Sequence, residues 1–272
     1  MQLHQDRLGG PDAVLALICL SYGGKNIRMV KKLNFLSVAG LFLFFAGSFF
    51  AGLFLFIDYI SFVSADVTQS GSAMNHGKSA SPNITHDLNI EENDVVVAFV
   101  HVNGDQRITD NNGSNSFTEE IDNKGAGSNG HAIYTRVAGA SEPATYQWTT
   151  PSSDRWSVEI RVFKNVDTSA IWEVAPSATA RGSGHGTTAT APSMNINTIG
   201  AMGILFVFSD TPSQSFSHPT NSYSDKLEAL TLSQATYTRT WQTLGATGQA
   251  STNLLNNDWM IYQLALRPGI AD

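Results

Sequence analysis

The sequence predicts an all-β protein: a single antiparallel β-sandwich, jelly-roll-like in outline, preceded by an N-terminal transmembrane or signal helix. Three observations carry this. Short runs rich in Val, Ile, Phe, Tyr and Thr recur from residue 95 to 266, separated by Gly, Pro, Asn and Ser clusters. After residue 65 there is no amphipathic helix longer than about three turns, so parallel strands would lack their helical crossovers. Ahead of the strands, residues 33–57 form one apolar run without a charge.

Composition narrows the class. The chain has 272 residues, with 16 Lys+Arg, 23 Asp+Glu and one Cys. Its charged fraction of 14% is low beside the roughly 25% of an average soluble domain. A coiled coil, a long helical bundle and a charged disordered tail all need more Glu and Lys. A net charge of −7 argues against a nucleic-acid partner, which would call for a basic patch. The one cysteine, Cys19, precedes the apolar run. The rest of the chain therefore has no disulfide and no thiolate metal site.

The elements follow in order. Residues 1–32 are an N-terminal extension with a basic n-region. Met29-Val-Lys-Lys has the form of a normal n-region start, so the true start is expected at Met29. Residues 33–57 are long enough to cross a hydrocarbon core of ~30 Å as a helix. Lys31 and Lys32 precede the run and Asp58 follows it. Positive charge stays on the cytoplasmic side, so the chain beyond residue 58 is expected outside. Val63-Ser64-Ala65 has the small-residue pattern of a signal-peptidase site, yet the run exceeds the roughly 7–15 residues of a signal h-region. Cleavage after Ala65 and retention as an anchor both stay open. Residues 58–92 read as a linker, with a loose first strand as the alternative over 66–90. Residues 93–272 read as the sandwich domain.

Within that domain, Val95–Asn103 is a β-branched, aromatic run ended by Gly104. His131–Ala138 and Ala144–Thr149 are further strands, the second bounded by Pro143 and Pro151. Trp156–Phe163 alternates: Trp156, Val158, Ile160 and Val162 on one face, Ser157, Glu159 and Arg161 on the other. Ala201–Phe208 is continuously apolar, as a central strand covered on both faces would be. Ser224–Gln234 is the best short helical candidate. Ala235–Thr243 and Trp259–Leu266 complete the strands, the latter stopped by Pro268 and Gly269.

Three of these stretches carry a resemblance. They are Ile133-Tyr-Thr-Arg-Val-Ala-Gly-Ala-Ser-Glu-Pro-Ala-Thr-Tyr-Gln-Trp148, Trp156 through Ser169, and Trp259 through Pro268. In this order they resemble a β-sandwich module that recurs in exported bacterial proteins and in phage virion or tail-associated proteins. The resemblance covers roughly 93–269. It implies a jelly-roll or concanavalin-like shape, and it brings no catalytic residues with it.

Chemistry is sparse. Glu120 and Asp122 would share a strand face, as an acid/base and nucleophile pair needs, but Gly125 stands where a third acid would fall. Asp105 and Asp110-Asn-Asn-Gly113 give alternate oxygen ligands, yet an EF-hand register puts Ile108 in the first ligand position. His4, His76, His86, His101, His131, His185 and His218 show no zinc spacing. Gly182-Ser-Gly-His-Gly186 lacks the Lys-Ser/Thr and the helix of a phosphate cradle. Trp156 and Trp259 read as core. Trp172 and Tyr223, near loops, read as the better stacking platforms. The expected catalytic, cofactor and metal residues are none.

The sequence thus points to a non-enzymatic, exported or surface-anchored module for binding or display, adhesive or glycan-binding in character. Its expected partners are a surface glycan or another protein of an extracellular assembly, and the membrane through 33–57 if that run is uncleaved. Two alternatives stand beside it: a phage virion or tail structural protein, and a carbohydrate-active enzyme of the concanavalin-like type.

Overall fold

The computed structural model describes residues 65–126, 129–176 and 180–269, and three strands within 1–34. The chain divides into two compact units, Met1–Val63 and Ser64–Asp272. Most of the apolar run, and with it the expected helix, lies outside the described residues. Among the described residues, no helix is long and apolar enough to cross a membrane. In the first unit, β1 (Leu3–Asp6), β2 (Ala13–Tyr22) and β3 (Lys25–Asn34) pair antiparallel in that order.

The second unit is all-β. Its first half holds β4 (Thr68–Ser79), β5 (Asn83–Thr85), β6 (Val95–Asn103), β7 (Thr109–Asp110), β8 (Thr118–Ala126), β9 (Asn129–Val137), β10 (Thr145–Thr149) and β11 (Asp154–Lys164). Its second half holds β12 (Ala180–Ala191), β13 (Asn195–Ile196), β14 (Ala201–Ser209), β15 (Ser224–Ala229), β16 (Gln234–Trp241), β17 (Gly245–Ala246) and β18 (Ala250–Leu266). Two five-stranded antiparallel sheets dominate, ordered β4-β11-β6-β9-β8 and β12-β18-β14-β16-β15. Smaller sheets β5-β10-β7 and β13-β17 complete the unit.

Counted along the chain, each large sheet runs first, fifth, second, fourth, third. One plan is used twice, and the register matches many positions of the two copies. Trp156 lies opposite Gly77 in one half and Trp259 opposite Gly184 in the other. In both pairs the indole covers the glycine so closely that a Cβ there would meet the ring, at 2.6 Å over Gly77 and 2.9 Å over Gly184. Both third strands are bulged at the same place, between Glu119 and Ile121 and between Ser224 and Leu227. Before each central strand stands a left-handed residue, Asn93 (φ 71°) or Gly200 (φ 90°). Its N–H donates to the carbonyl of Ala138 or of Trp241 respectively.

The sequence shows this repeat directly. Ala132-Ile-Tyr-Thr-Arg136 and Ala235-Thr-Tyr-Thr-Arg239 occupy the same stretch of β9 and β16. Their shared residues pin the same loops. The Tyr134 hydroxyl donates to the Ile108 carbonyl and the Tyr237 hydroxyl to that of Ser217, each at 2.9 Å. Arg136 donates to the Ser116 carbonyl at 3.2 Å, and Arg239 to that of Asn221.

The two sheets share one apolar cluster, to which Val95, Val97, Phe99 and Phe163 contribute from the first and Ile204, Phe206, Tyr262 and Leu264 from the second. The arrangement is consistent with a β-sandwich. Equivalent residues meet at its centre: the Phe99 and Phe206 rings lie 4.8 Å apart, as do those of His101 and Phe208. The halves therefore join about a local two-fold, as identical subunits of a dimer do. β11 lies on β16 through Ser157–Gln234 and Arg161–Thr236 contacts, and β9 on β18 through His131–Tyr262. Outside this core each sheet has a further cover: Ile84, Ile108, Tyr146 and Trp148 on the first, Ala191, Phe216, Tyr223 and Leu254 on the second. The sequence alone suggests one two-layer sandwich; the structure adds an outer layer to each sheet.

Other expectations fare differently. Ala201–Ser209 is the buried central strand it promises to be. Residues 68–79 are not a linker but an edge strand paired with β11 along its length. Ser224–Gln234 is not helical: it holds β15, a 3-10 turn at Leu230–Leu232 and the start of β16. Lys226-Leu-Glu-Ala-Leu230 favours helix locally, and cross-strand pairing with Gln234–Thr238 overrides it.

Candidate functional site

The residues weighed from sequence are mostly committed to holding the fold. Glu120 accepts a hydrogen bond from the Thr135 hydroxyl, and Asp122 lies 3.5 Å from the Arg107 guanidinium. Burial, then the neighbouring Asp122, raises the Glu119 carboxyl, while Arg107 opposes the rise. Among the described residues no third acid joins them, and no group of three His, Cys, Asp or Glu side chains is placed to hold a metal. In the Asp110 loop, Asn112 donates to Asp110 and to the Gln147 carbonyl, and its own oxygen takes the Gln147 N–H. Asp110 also receives the Phe117 N–H at 3.3 Å. Their oxygens tie the loop to β10 rather than converging on a cation.

The aromatic platforms change place. Tyr223 is buried, with 3% exposure, inside the second outer cover; its position beside a loop in sequence is misleading because that loop folds onto the sheet. Trp172 is half-buried against the shared core and bridged to Leu266. Trp156 is core, its indole N–H donating to Ser79 at 2.9 Å. Trp259 packs against the second cover but keeps partial exposure.

Ionisable groups that sequence reading left aside gather in the joint between the sheets. Glu159 and Arg161 are fully buried, 2.7 Å apart. Arg161 also reaches Thr236, Gln69 and Asp225, and Thr236 donates to Glu159. Burial raises the Glu159 carboxyl against the pull of Arg161. Beside them His101 and His131 are direct cross-strand neighbours, both fully buried. Burial pushes the His101 imidazole down to about 3. Burial, then His101 and Arg181, holds His131 well below the usual range. His131 Nε2 lies 2.6 Å from the Tyr262 hydroxyl. Strand alternation gave the sign of these positions: Glu159 and Arg161 face the second sheet, where solvent was expected.

Glu142 is the best-held carboxylate of the first half. Burial works against its charge, but Arg136, the Gly139 N–H and the Tyr146 hydroxyl outweigh it and keep the group below its usual range. It closes the Gly139–Pro143 turn.

No family model, curated protein or solved structure matches this chain.

A cleft of about 230 Å³ opens at the end of the second sheet. Ser183, Phe208, Asp210, Asp258 and Met260 line it. His185 Nδ1 lies 2.9 Å from Asp258, both side chains being more than half exposed. Imidazole, carboxylate and the Ser183 hydroxyl are the parts of a hydrolytic triad. Among the described residues no hydrogen bond joins Ser183 to His185.

Proposed function

We propose that the chain is an exported, non-enzymatic, jelly-roll-like β-sandwich module for binding or display, anchored or led out by the apolar helix expected over 33–57. One observation carries this reading above an enzyme. The acids and bases drawn together most closely are spent on the joint (Glu159, Arg161, His101, His131) or on pinning loops (Glu142, Arg136, Asp110). The exposed His185–Asp258 pair beside the cleft has no hydrogen bond to Ser183 among the described residues. The resemblance of 133–148, 156–169 and 259–268 to a module of exported and virion-associated proteins supports the same reading, as does the basic flank at Lys31 and Lys32.

Protease added to intact cells tests the location: digestion or release of the Ser64–Asp272 unit is expected, and full protection across an intact membrane would overturn it. Hydrolysis assays on mixed polysaccharides test the absence of catalysis. A reproducible activity lost in Glu120→Gln, Asp122→Asn or Ser183→Ala would replace the binding reading with the enzyme one.

A further inference from the structure

The Ser64–Asp272 unit receives its chain at one end of the second sheet. The Val67 N–H donates to the Gly200 carbonyl and the Gln242 amide to the Asp66 carboxylate, each at 2.9 Å. Beside these contacts stand two exposed large apolar side chains, Ile199 at 50% and Leu244 at 60% exposure. They belong to neighbouring stretches of chain: Ala201 pairs with Trp241 on one side of them and Ile196 with Gly245 on the other. Leu230 and Leu255, also exposed, lie toward the Ser209 end of β14, about 26 Å further along at about 3.3 Å per residue.

The first half gives a standard for these positions. Ile199 directly precedes Gly200 as Glu92 precedes Asn93, and Leu244 follows Trp241 by three residues as Ser141 follows Ala138. Glu92 and Ser141 are exposed, so the fold accepts polar residues there. Single exposed apolar residues are ordinary on a protein surface. What sets this pair apart is that both replace polar counterparts, and both do so where the chain enters.

Chain length supplies the occupant. Ile57 ends the apolar run and Asp66 comes nine residues later. At no more than about 3.6 Å per residue, the chain between them reaches at most about 32 Å. An apolar run held in a membrane therefore keeps the entry end close to the lipid surface, a restraint the Ser209 end does not feel directly. Asp66, the acid at the entry, suits a zwitterionic surface better than an anionic one.

We propose that the end of the second sheet bearing Ile199 and Leu244 rests on a zwitterionic lipid surface, with both side chains entering the boundary between headgroups and acyl chains. The Ser209 end, with the cleft at Asp210 and Asp258, is then turned away from the membrane. This inference rests on the reading of 33–57 as a retained anchor and adds the orientation in which the module is displayed.

The test uses the full-length chain with Cys19→Ser, reconstituted in phosphatidylcholine vesicles, with one environment-sensitive fluorophore attached through Leu244→Cys or through Leu255→Cys. Both leucines are mostly exposed, so neither substitution opens the core, and melting temperatures equal to that of the original chain check this. Flotation shows whether the vesicles hold the chain. With nitroxide-bearing lipid in the vesicles, the label at 244 should lose fluorescence and the label at 255 should not. Ile199→Glu, which copies Glu92, should reduce the loss at 244. Equal quenching at the two positions, quenching at neither, or a loss at 244 that Ile199→Glu leaves unchanged would overturn the docking and leave the anchor reading standing. A chain that does not float would overturn the anchor reading and the docking together.

Discussion

The two halves of the Ser64–Asp272 unit share a plan and differ in where they keep their polar groups. The first places Glu159, Arg161, His101 and His131 on the face it turns to its partner, and fills its outer face with Val96, Ile160 and Phe117. The second is reversed. Tyr262, Leu264 and Phe208 occupy its joint face where the first has Glu159, Arg161 and His101, while Tyr223, Trp241 and Gln263 sit on its outer side. In a true homodimer every contact at the joint is made twice, residue i of one copy with j of the other and j with i. Joining two copies in one chain removes that demand. One strip of the joint, β11 on β16, has become a polar network, and the other, β9 on β18, is aromatic.

The sharpest way to break this comparison is to copy one half's residue into the other. Arg161→Leu takes the residue of position 264 and leaves Glu159 buried without its cation. A loss of about 3–5 kcal/mol is expected in denaturant titration, as for breaking one partner of a buried pair. Adding Glu159→Tyr, the residue of position 262, removes the stranded carboxylate and should recover part of that loss. A single variant as stable as the original would mean the network does not hold the joint.

Trp156→Ala should cost about 3–5 kcal/mol, as for an emptied aromatic core site. Trp259→Ala, at the equivalent but partly exposed position, should cost less. Equal losses would mean that the outer covers exclude solvent equally in the two halves.

The histidines predict a smaller, pH-dependent effect. Their folded pKa values lie below the unfolded value near 6.5, at about 3 for His101 and well below the usual range for His131. The unfolded chain therefore binds more protons as pH falls from about 6.5 toward 3, and stability falls with it. Glu159, raised by burial, works in the opposite direction. His101→Phe, copying Phe208, should flatten the melting temperature between pH 6.5 and 4 relative to the original chain. An unchanged slope would remove His101 from the joint's acid response.

The smallest effects belong to the half-buried acids of β8, Glu120 and Asp122. Glu120→Gln and Asp122→Asn keep the shape and the acceptor oxygen, and each should change stability by about 1 kcal/mol or less.

Much of the fold was legible because the inner strands announce themselves. Val95–Asn103, Trp156–Phe163 and Ala201–Phe208 are β-branched and aromatic runs, and each is a strand close to where it was expected. The edge strands β4 and β12 are rich in Gly, Ser and Thr and carry no apolar alternation. Their glycines answer to tryptophans on the neighbouring strand, which no local pattern reveals. The doubling was not read from the sequence: Ala-x-Tyr-Thr-Arg recurs at 132–136 and 235–239, but the strands between diverge enough to hide it from composition or periodicity. The polar cluster at Tyr223, Trp241 and Gln263 was not legible: in sequence these are a loop tyrosine, a strand-end tryptophan and a lone glutamine. Only the register of β14, β16 and β18 brings them together.

The joint also bears on what happens as the chain is made. The first half leaves the ribosome before its partner exists, with the face that carries Val97, Phe99 and Phe163 uncovered. Two such halves on neighbouring chains could meet through that same face. Arg161 and Glu159 of each would then lie against Ile133 and His131 of the other, in the places where Thr236 and Gln234 receive them in the finished fold. The pair would keep its own 2.7 Å contact but lose the hydrogen bonds that Thr236 makes with it, and each buried polar group left unpaired costs about 1–3 kcal/mol. The second half, tethered to the same chain, arrives at an effective concentration on the order of millimolar and brings the matching groups. The polar groups of the second half thereby favour the joint within one chain over a joint between two copies of the first half.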